Sequence, residues 1–330
     1  MHHLATGRSV PLALALALAL ALVLVLALAL ALALALALAL SLGYRTIGED
    51  GSVYEMEVPT RGSTRYTHGH HESVLRSHSW RTARNSAGYL LPHLESGMNL
   101  LDVGCGPGTI TADLAELVSP GRVVGLDFAR EVLETAQEEA GSRKIGNVEF
   151  VAGDIYDLQA AGIEQGTFDV VHAHQVLQHV SDPVGALRAM RAACRRGGIV
   201  AARDSDYHAA TWFPAIPGLD RWMELYQAIA RANGGEPDAG RRMLSWARSA
   251  GFHDIIPSGS CWCFATPETR EWWGGLWADR VTKSAFATQA RTSGLATDVD
   301  LTEIAAAWRT WAASPDGWYV VVSGEILCRK

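Results

Sequence analysis

The chain has 330 residues, which is enough for one large domain or two small ones. A formal net charge of −7 gives no basic field that would favour a nucleic-acid partner. Five scattered cysteines, an odd number, argue against a disulfide framework. Cys261 and Cys263 have poor spacing for zinc without a second pair, so we expect reduced thiols and no metal.

The N-terminal tract at 12–40 contains only Leu, Ala and Val. As a helix it would extend roughly 43 Å at 1.5 Å per residue, which is more than a bilayer core needs. Three interpretations stay open: a membrane anchor, a cleaved signal, or a low-complexity segment upstream of the true start near Met56. Under each of them, we expect a Leu/Ala helix over 1–41 that contributes nothing to a binding site.

The segment at 42–63 is polar and glycine-bearing, and we interpret it as a linker before a domain over 64–330. An amphipathic helix is expected to run from the histidine-rich stretch at 68–71 to about Leu91. No Asp, Glu or Cys cluster accompanies these histidines, so a metal site is not expected. A lid over a bound cofactor is the preferred interpretation, with Tyr66 as a candidate substrate contact.

A glycine-rich turn organises the domain. A short apolar run ends at Val103, and glycines follow at alternate positions, Gly104, Gly106 and Gly108. A helical pattern starts at Thr109. Strand, glycine turn and helix form the first half of a nucleotide-binding α/β unit, because glycine lets a ligand approach the backbone closely. Thr109 stands where a dinucleotide-binding turn has its third glycine, which argues against a nicotinamide oxidoreductase.

Acidic residues end the next two predicted strands. The second strand ends at Asp127 and is followed by Phe128, and the third strand is followed by Asp154 and Ile155. A carboxylate at the tip of the second strand can accept both hydroxyls of a ribose, as in dinucleotide-binding folds. Asp154 can accept an adenine amino group, with Ile155 against the ring. For each aspartate the alternative is an ordinary surface position at a strand end.

The remaining pattern predicts further strands and helices. A fourth strand with the loop after it over 168–179, a helix from Pro183 and a fifth strand over 198–204 continue the alternation. Strands alternating with helices predict an α/β fold with a doubly wound, mostly parallel, seven-stranded Rossmann-like sheet. Ligands bind such sheets at the carboxyl ends of the strands, where the acidic residues lie.

Beyond residue 204 the composition changes, and all but one of the eleven tryptophans lie beyond residue 210. We predict helical insertions in 205–250 and 265–313, with the last two strands at 252–264 and 319–327. Insertions around a shared sheet are where substrate pockets are built. Trp272, Trp273 and Trp277 are therefore either substrate contacts or packing residues of the insert.

Together these stretches resemble class I S-adenosylmethionine (SAM) methyltransferases of the ubiquinone/menaquinone-biosynthesis-like, small-molecule type. Four stretches carry the resemblance: 101–109 (LDVGCGPGT), 124–128 (VGLDF), 153–154 (GD) and 175–183 (QVLQHVSDP). The insertions depart from the plainest members, so the substrate is not carried over, and quinone methylation in particular is not implied.

The resemblance implies SAM as cofactor and a methyl acceptor as partner. It places the three glycines beside the methionyl part, Asp127 on the ribose, Asp154 on the adenine, and the loop after the fourth strand near the sulfonium. The full set of cofactor contacts that we predict is Asp102, Gly104, Cys105, Gly106, Gly108, Asp127, Phe128, Asp154, Ile155, His174 and Gln175. It also implies that the catalytic domain lies in the cytoplasm, where SAM is available.

The chemistry requires mainly that a nucleophile be held in line with an activated methyl group, and orientation alone can supply roughly 7–11 kcal/mol. An oxygen or nitrogen nucleophile also has to lose a proton. His174 and His179 are the candidate bases, with purely structural roles as the alternative. The competing functions are a non-catalytic SAM-binding module tethered to a membrane, a nicotinamide oxidoreductase, and arsenite methylation, which needs converging cysteines.

Overall fold

The computed structural model describes residues 45–47, 53–55 and 80–330. The chain divides into two compact units, 1–60 and 61–330. In the first unit, strands β1 (Arg45–Ile47) and β2 (Val53–Glu55) pair antiparallel, so the segment interpreted as a linker contains a short strand pair. Their β-branched and aromatic residues favour extended backbone. The Leu/Ala tract, Tyr66 and the histidines of 68–71 lie outside the described residues, and the expectations about them stay predictions.

The second unit is built on a sheet of seven strands. They are β3 (Leu100–Val103), β4 (Val123–Asp127), β5 (Val148–Ala152), β6 (Phe168–His174), β7 (Cys194–Phe213), β8 (Asp254–Phe264) and β9 (Trp318–Arg329). Their spatial order is β5–β4–β3–β6–β7–β9–β8, and only β9 runs antiparallel to its neighbours. The predicted doubly wound, mostly parallel sheet is confirmed.

Helices cover this sheet and build the insert. They are α1 (Ala83–Ser86), α2 (Thr109–Val118), α3 (Arg130–Ser142), α4 (Pro183–Ala193), α5 (Pro217–Ala232), α6 (Met243–Ser249), α7 (Pro267–Lys283), α8 (Ala285–Thr292) and α9 (Asp298–Ala313). Short 3₁₀ turns lie at Leu91–His93 and Gly240–Arg242. Within the described ranges, no helix has the length and apolar character that crossing a bilayer requires.

Both faces of the sheet are buried, as a parallel sheet requires. Leu100 and Leu101 are adjacent in β3, so their side chains point to opposite faces, and both are fully buried. Leu100 packs in a cluster with Leu114 of α2, whereas Leu101 packs in another with Leu187 and Met190 of α4. The two helical layers hold the strands so that their carboxyl ends meet at one edge.

The expected long helix ending near Leu91 is wrong for the part that the structure describes. From Trp80 onward the chain forms only the four-residue α1 and the 3₁₀ turn that follows it. Thr82 and Asn85 form a capping box that starts α1 at Ala83, so no continuous helix passes through this point. Pro92 lacks the N–H that continuation of a helix would need.

The segment at 205–250 does not begin as a helical insertion. β7 continues to Phe213, well beyond the predicted end at residue 204, because β9 pairs with it along this length. The register shifts between Asp206 and Thr211, and the strands keep pairing beyond this shift, where Tyr319 of β9 packs in the aromatic core of the insert. Aromatic and β-branched residues at 207 and 211–213 favour this extended conformation.

The insert has its own aromatic core, formed by α5, α7, α8 and α9. Trp222, Trp277 and Trp308 are fully buried in it. The ring of Trp222 meets those of Trp277 and Trp308 edge-on at centroid distances of 4.5 and 4.9 Å. Edge-to-face pairs of this kind add to the free energy of burial. Trp277 is therefore a packing residue, one of the two roles open for it from the sequence.

Candidate active site

One cavity joins the carboxyl ends of the strands to the insert. Its strand-tip half is lined by the glycine turn, by the residues that end β4 and β5, and by the loop after β6. Its aromatic half is lined by Trp80, Arg81, Tyr207, Trp262, Trp273 and Arg280. Of the eleven predicted cofactor contacts, all except Gly108 line the cavity.

The glycine turn has the backbone conformation that its sequence predicts. Gly104 and Gly108 have φ of +70° and +79°, in the left-handed region that favours glycine. A Cβ at Gly104 would lie 2.4 Å from Cγ2 of Val176, because the turn packs against the loop after β6. Gly108 is the N-cap residue of α2, and a Cβ there would lie 2.8 Å from Cβ of Ala136. Gly108 therefore shapes the turn from outside the cavity.

Asp127 is oriented by the backbone around it. Its Oδ2 accepts a hydrogen bond from the N–H of Gly106, and its Oδ1 accepts one from the N–H of Ala129, both at 2.9 Å. The first bond ties the tip of β4 to the glycine turn of β3. The carboxylate is thus fixed in the cavity wall beside the turn, which is the placement that ribose recognition requires.

Asp102 lines the cavity, but its carboxylate is held inside the protein. Its Oδ2 accepts a 2.5 Å hydrogen bond from the hydroxyl of Thr111, and its Oδ1 lies 2.7 Å from Nδ1 of His172. Asp102 and His172 are register partners on β3 and β6, and both are buried. Asp102, Thr111 and His172 thus link β3 and β6 to α2, so Asp102 positions the glycine turn. The sequence analysis did not identify Thr111 and His172 as its partners.

Apolar side chains complete the strand-tip half. Ile155 is buried beside Asp154, whose Oδ1 accepts the N–H of Tyr156 at 2.9 Å. Phe128 is 76 % exposed, although it lines the cavity. Cys105 is buried, and burial raises the pKa of its thiol well above the usual value, so the thiol stays protonated. Together these groups form an apolar slot next to two carboxylates.

The loop after β6 lies between the two halves and is held under strain. Gln175 has φ of +54°, which is uncommon for a residue with a side chain. Its N–H donates to the carbonyl of Arg203 at 2.7 Å. Its side chain donates to Oγ of Ser205 and accepts from Nη2 of Arg81, both at 2.5 Å. Strain fixed by so many contacts is typical of a functional position.

Asp204 supports this loop from below. Its two oxygens accept the N–H groups of Leu177 and Gln178 at 3.3 and 3.1 Å. It is fully buried, and burial raises its pKa to about 7, although hydrogen bonds from the loop backbone oppose that shift. Asp204 therefore positions the loop without reaching the cavity.

The two candidate bases differ in environment. His174 ends β6, is 6 % exposed, lines the cavity, and has its ring 5.7 Å from that of Trp262. His179 also lines the cavity, but burial and then the charge of Arg81 lower its pKa to about 3. Its Nε2 lies 2.9 Å from Nε2 of Gln178. A histidine with so low a pKa is a weak base, which favours His174.

Trp262 is the central wall of the aromatic half. The guanidinium of Arg203 lies 4.6 Å from its ring centroid and that of Arg81 lies 5.6 Å away. Its indole N–H donates to the carbonyl of Asn85 at 2.7 Å, and Trp80 meets its ring edge-on at 5.3 Å. Cation–π contacts and a hydrogen bond thus fix this ring in place.

The predicted substrate contacts on α7 divide into two kinds. Trp273 lines the cavity and stacks on Phe264 at 4.3 Å. Trp272 does not line it; its ring packs against Trp80 and Phe264, so its predicted direct contact with substrate is not supported. The helix turns by about 100° per residue, which sends adjacent side chains in different directions.

Sequence reasoning missed five of the residues that line the aromatic half as site residues. They are Trp80, Arg81, Tyr207, Trp262 and Arg280. Of these five, only Arg280 could have been found from the local sequence. It follows Trp273 and Trp277 at helical spacing, so it puts a charged residue on an apolar helix face. Among the described residues, no group of His, Cys, Asp and Glu is arranged to hold a metal ion.

Comparison with known proteins shows the family of this chain. A family model described as a methyltransferase domain matches residues 94–272. A methyltransferase of Schizosaccharomyces pombe, itself named as uncharacterized, is 34 % identical over 274 residues, which cover 80 % of this chain and 96 % of that protein. This chain belongs to the SAM-dependent methyltransferases. The family match spans the glycine turn and all the strand tips that line the methyltransferase's cavity.

One further relative and one solved structure are weaker matches to this methyltransferase. The demethylmenaquinone methyltransferase of Lactococcus lactis is 33 % identical over 132 residues, covering 40 % of this chain and 49 % of that protein. The phosphoethanolamine N-methyltransferase 2 of Haemonchus contortus, solved in complex with SAM, is 17 % identical, with a TM-score of 0.45 over 72 % of this chain and 49 % of that one.

The chemistry of the strand-tip half fits SAM. The cofactor needs an acceptor for its ribose hydroxyls, an apolar slot for its adenine, and close backbone approach for its methionyl part. Asp127 is a carboxylate fixed in the cavity wall, Ile155 is a buried apolar side chain, and the glycines of the turn have no side chains to block an approach, so these groups fit the three requirements. The methyltransferase therefore uses SAM as its cofactor.

Proposed function

We propose that this methyltransferase transfers the methyl group of SAM to a small-molecule acceptor bound in the aromatic half of the cavity. The supporting observation is that Tyr207, Trp262, Trp273 and Arg280 line this half and are each more than nine-tenths buried. A macromolecular acceptor would need an exposed surface, whereas buried walls with few polar groups suit a small molecule. The acidic net charge also disfavours a nucleic acid.

In this proposal Asp127 accepts the ribose hydroxyls and Asp154 accepts the adenine amino group, with Phe128 and Ile155 against the ring. Gly104, Cys105 and Gly106 lie beside the methionyl part, and Gly108 keeps the turn in shape. These assignments rest on the position of each group in the wall of one cavity and on the orientation of Asp127 by two backbone bonds.

The cofactor supplies a methyl group already activated for displacement by a nucleophile. The protein then needs to hold the acceptor atom in line with that methyl group and to exclude water. The loop at Gln175 and the ring of Trp262 both line the cavity and are both contacted by Arg81, which suits them to this purpose. Where the acceptor must lose a proton, His174 is the proposed base, and its position in the cavity wall supports this role.

The experiment is methyl transfer from labelled SAM to a panel of small aromatic and aliphatic acceptors, with product detection by mass. We expect turnover with at least one small molecule, and we expect His174→Gln to lower kcat while leaving SAM affinity within about twofold. Calorimetry should give one SAM site per chain. Failure to bind SAM would contradict the cofactor assignment, and transfer only to protein or nucleic acid would contradict the acceptor class.

A further inference from the structure

A fully buried histidine of the sheet takes no part in the cavity. His172 lies within β6 and does not line the cavity, whereas His174, two residues further on, does. Burying an imidazole costs free energy unless its ring nitrogens form hydrogen bonds. Nδ1 lies 2.7 Å from Oδ1 of Asp102, and Nε2 has no hydrogen-bond partner in the part of the chain that the structure describes. The polar contact on which this ring depends is therefore the one with Asp102.

The surroundings of His172 determine which ring nitrogen carries the hydrogen. The oxygens of a carboxylate accept hydrogen bonds, so Nδ1 has to donate to Asp102. On the other side of β6, His172 is the register partner of Ala201 on β7, and Ala201 packs with Leu114 and Val170 in a buried apolar cluster. The ring thus directs one donor at one oxygen of Asp102, from surroundings that these side chains make apolar.

Asp102 joins the two ends of the glycine turn. It is the third residue of β3, and its Oδ2 accepts the hydroxyl of Thr111, which is fully buried in the first turn of α2. The glycine turn lies between these two residues in the chain. One carboxylate oxygen therefore fixes the start of the helix against the end of the strand, while the other is fixed by His172. These three side chains form the Asp102 clasp, because rotation of the carboxylate would break both bonds.

The clasp lies on one side of the strand-tip half. Asp127 accepts a hydrogen bond from Gly106 of the turn, but it accepts another from Ala129, which follows its own strand. Asp154 is held by the backbone that follows it. These two aspartates are the proposed contacts of the adenosine part of the cofactor, whereas 104–106 is the proposed contact of the methionyl part. A weakened clasp should therefore disturb binding of the methionyl part more than binding of the adenosine part.

We infer that His172 is a positioning residue for the cofactor. Through Asp102 and Thr111 it holds the glycine turn in the shape that receives the methionyl part of SAM. A turn that is fixed before its ligand arrives loses less conformational freedom on binding, so the ligand binds more tightly. The inference rests on the proposed function, which places the methionyl part beside the turn, and it extends that function to a residue outside the cavity.

The test compares two ligands that differ in the amino acid part alone. S-adenosylhomocysteine carries the amino acid chain of SAM on its sulfur, and 5′-methylthioadenosine has a methyl group in its place. His172→Leu removes the donor and keeps a side chain of similar size. On the full chain, calorimetry should show S-adenosylhomocysteine weakened by about tenfold and 5′-methylthioadenosine by less than about twofold. Equal weakening of the two ligands, or no weakening of either, would overturn the inference.

Two milder variants keep the test decisive even if His172→Leu does not fold. His172→Asn places an amide N–H close to the position of Nδ1, so we expect an affinity for S-adenosylhomocysteine within about threefold of wild type. Thr111→Val removes the hydroxyl and keeps the shape of the side chain, so it should weaken S-adenosylhomocysteine selectively. A Thr111→Val variant that binds this ligand as tightly as wild type would contradict the clasp, and so would a tenfold loss in His172→Asn.

Val170→Ala is the matched control for a loss of packing. Val170 lies two residues before His172 on the same face of β6 and is as deeply buried, but its register partner on β3 is Leu100 instead of Asp102. It should lower stability and leave both affinities within about twofold. Selective weakening of S-adenosylhomocysteine by this control would show that any packing loss loosens the turn, and would overturn the role of His172. Wild type that binds neither ligand would refute the proposed function itself, which a failure of the variants would leave intact.

Discussion

The two halves of the cavity are built in different ways. The strand-tip half consists of backbone turns and short side chains held by backbone hydrogen bonds, such as those from Gly106 and Ala129 to Asp127. The aromatic half consists of large side chains, among them Trp262 and Trp273, from elements far apart in the chain. One half presents polar groups in fixed positions, and the other presents large rings.

This difference has a consequence for mutation. A side chain such as Asp127 can be truncated with little loss of buried apolar surface, so its loss should act on binding. A ring such as Trp273 is shared between the cavity and the core of the insert, so its loss should act on stability as well. Mutations in the strand-tip half should therefore change binding without changing stability, whereas mutations in the aromatic half should change both.

The largest effect expected is on folding. Trp273→Ala removes a ring that is 6 % exposed and stacked on Phe264, so the free energy of unfolding should fall by about 3–5 kcal/mol. Urea titration measures it, with Trp318→Ala as control because Trp318 is 41 % exposed. A similar decrease in the free energy of unfolding for the two variants would show that Trp273 does not join the cavity to the core of the insert.

The next effect is on cofactor affinity. Asp127→Ala removes a charged hydrogen-bond acceptor, worth roughly 1.5–3 kcal/mol, so SAM should bind about tenfold or more weakly. The thermal midpoint should change little. Asp127→Asn should also weaken SAM, because an amide presents a donor where the N–H of Gly106 already donates. Calorimetry measures the SAM affinity of both variants, and Glu131→Gln is the control because Glu131 is exposed. An unchanged affinity would show that Asp127 does not bind the ribose.

The third expected effect is a pair of opposite pH dependences, one at Asp204 of β7 and one at His179 of the loop that Asp204 supports. Burial raises the pKa of Asp204 from 3.8 to about 7, so the folded state holds a proton that the unfolded state has lost. Its contribution to stability should fall as pH rises from about 4 to 7, by about 1.4 kcal/mol per unit at most. Burial lowers the pKa of His179 from 6.5 to about 3, so its contribution should fall as pH drops below 6.5.

Variants separate these two contributions. The free energy of unfolding, measured by urea titration between pH 4.5 and 8, should be compared for wild type, Asp204→Asn and His179→Gln. The difference between wild type and Asp204→Asn should decrease with rising pH, and the difference for His179→Gln should increase. Differences that do not vary with pH would show that neither group titrates abnormally in the folded protein.

Local sequence determined much of the strand-tip half. β5 has the predicted bounds, β6 begins at the predicted Phe168, and the glycine turn and Asp127 lie where their spacing places them. These features depend on short-range chemistry: an apolar run, glycine at positive φ, and an acid at a strand end. The hydrogen bonds of Asp102 with Thr111 and His172 could not be predicted in this way, because they depend on two other elements.

The residues that form the aromatic half could not be predicted from local sequence in the same way. Trp80 precedes α1, Tyr207 belongs to β7 and Trp262 to the edge strand β8, and only the tertiary fold brings them together. Between Trp80 and Leu91 the predicted long helix is not formed, because a cap at Thr82 outweighed the apolar periodicity. The extension of β7 depended on its partner β9, which lies more than 100 residues further along the chain.

The shared strands β7 and β9 also determine how the molecule can move. Both pass from the sheet into the insert, and they keep pairing on the far side of the register shift near Asp206. Swinging the insert away as a separate rigid body would break these hydrogen bonds. Sheet and insert should therefore unfold in one cooperative step, and amide hydrogens at Arg203 and Trp212 should exchange with similar free energies.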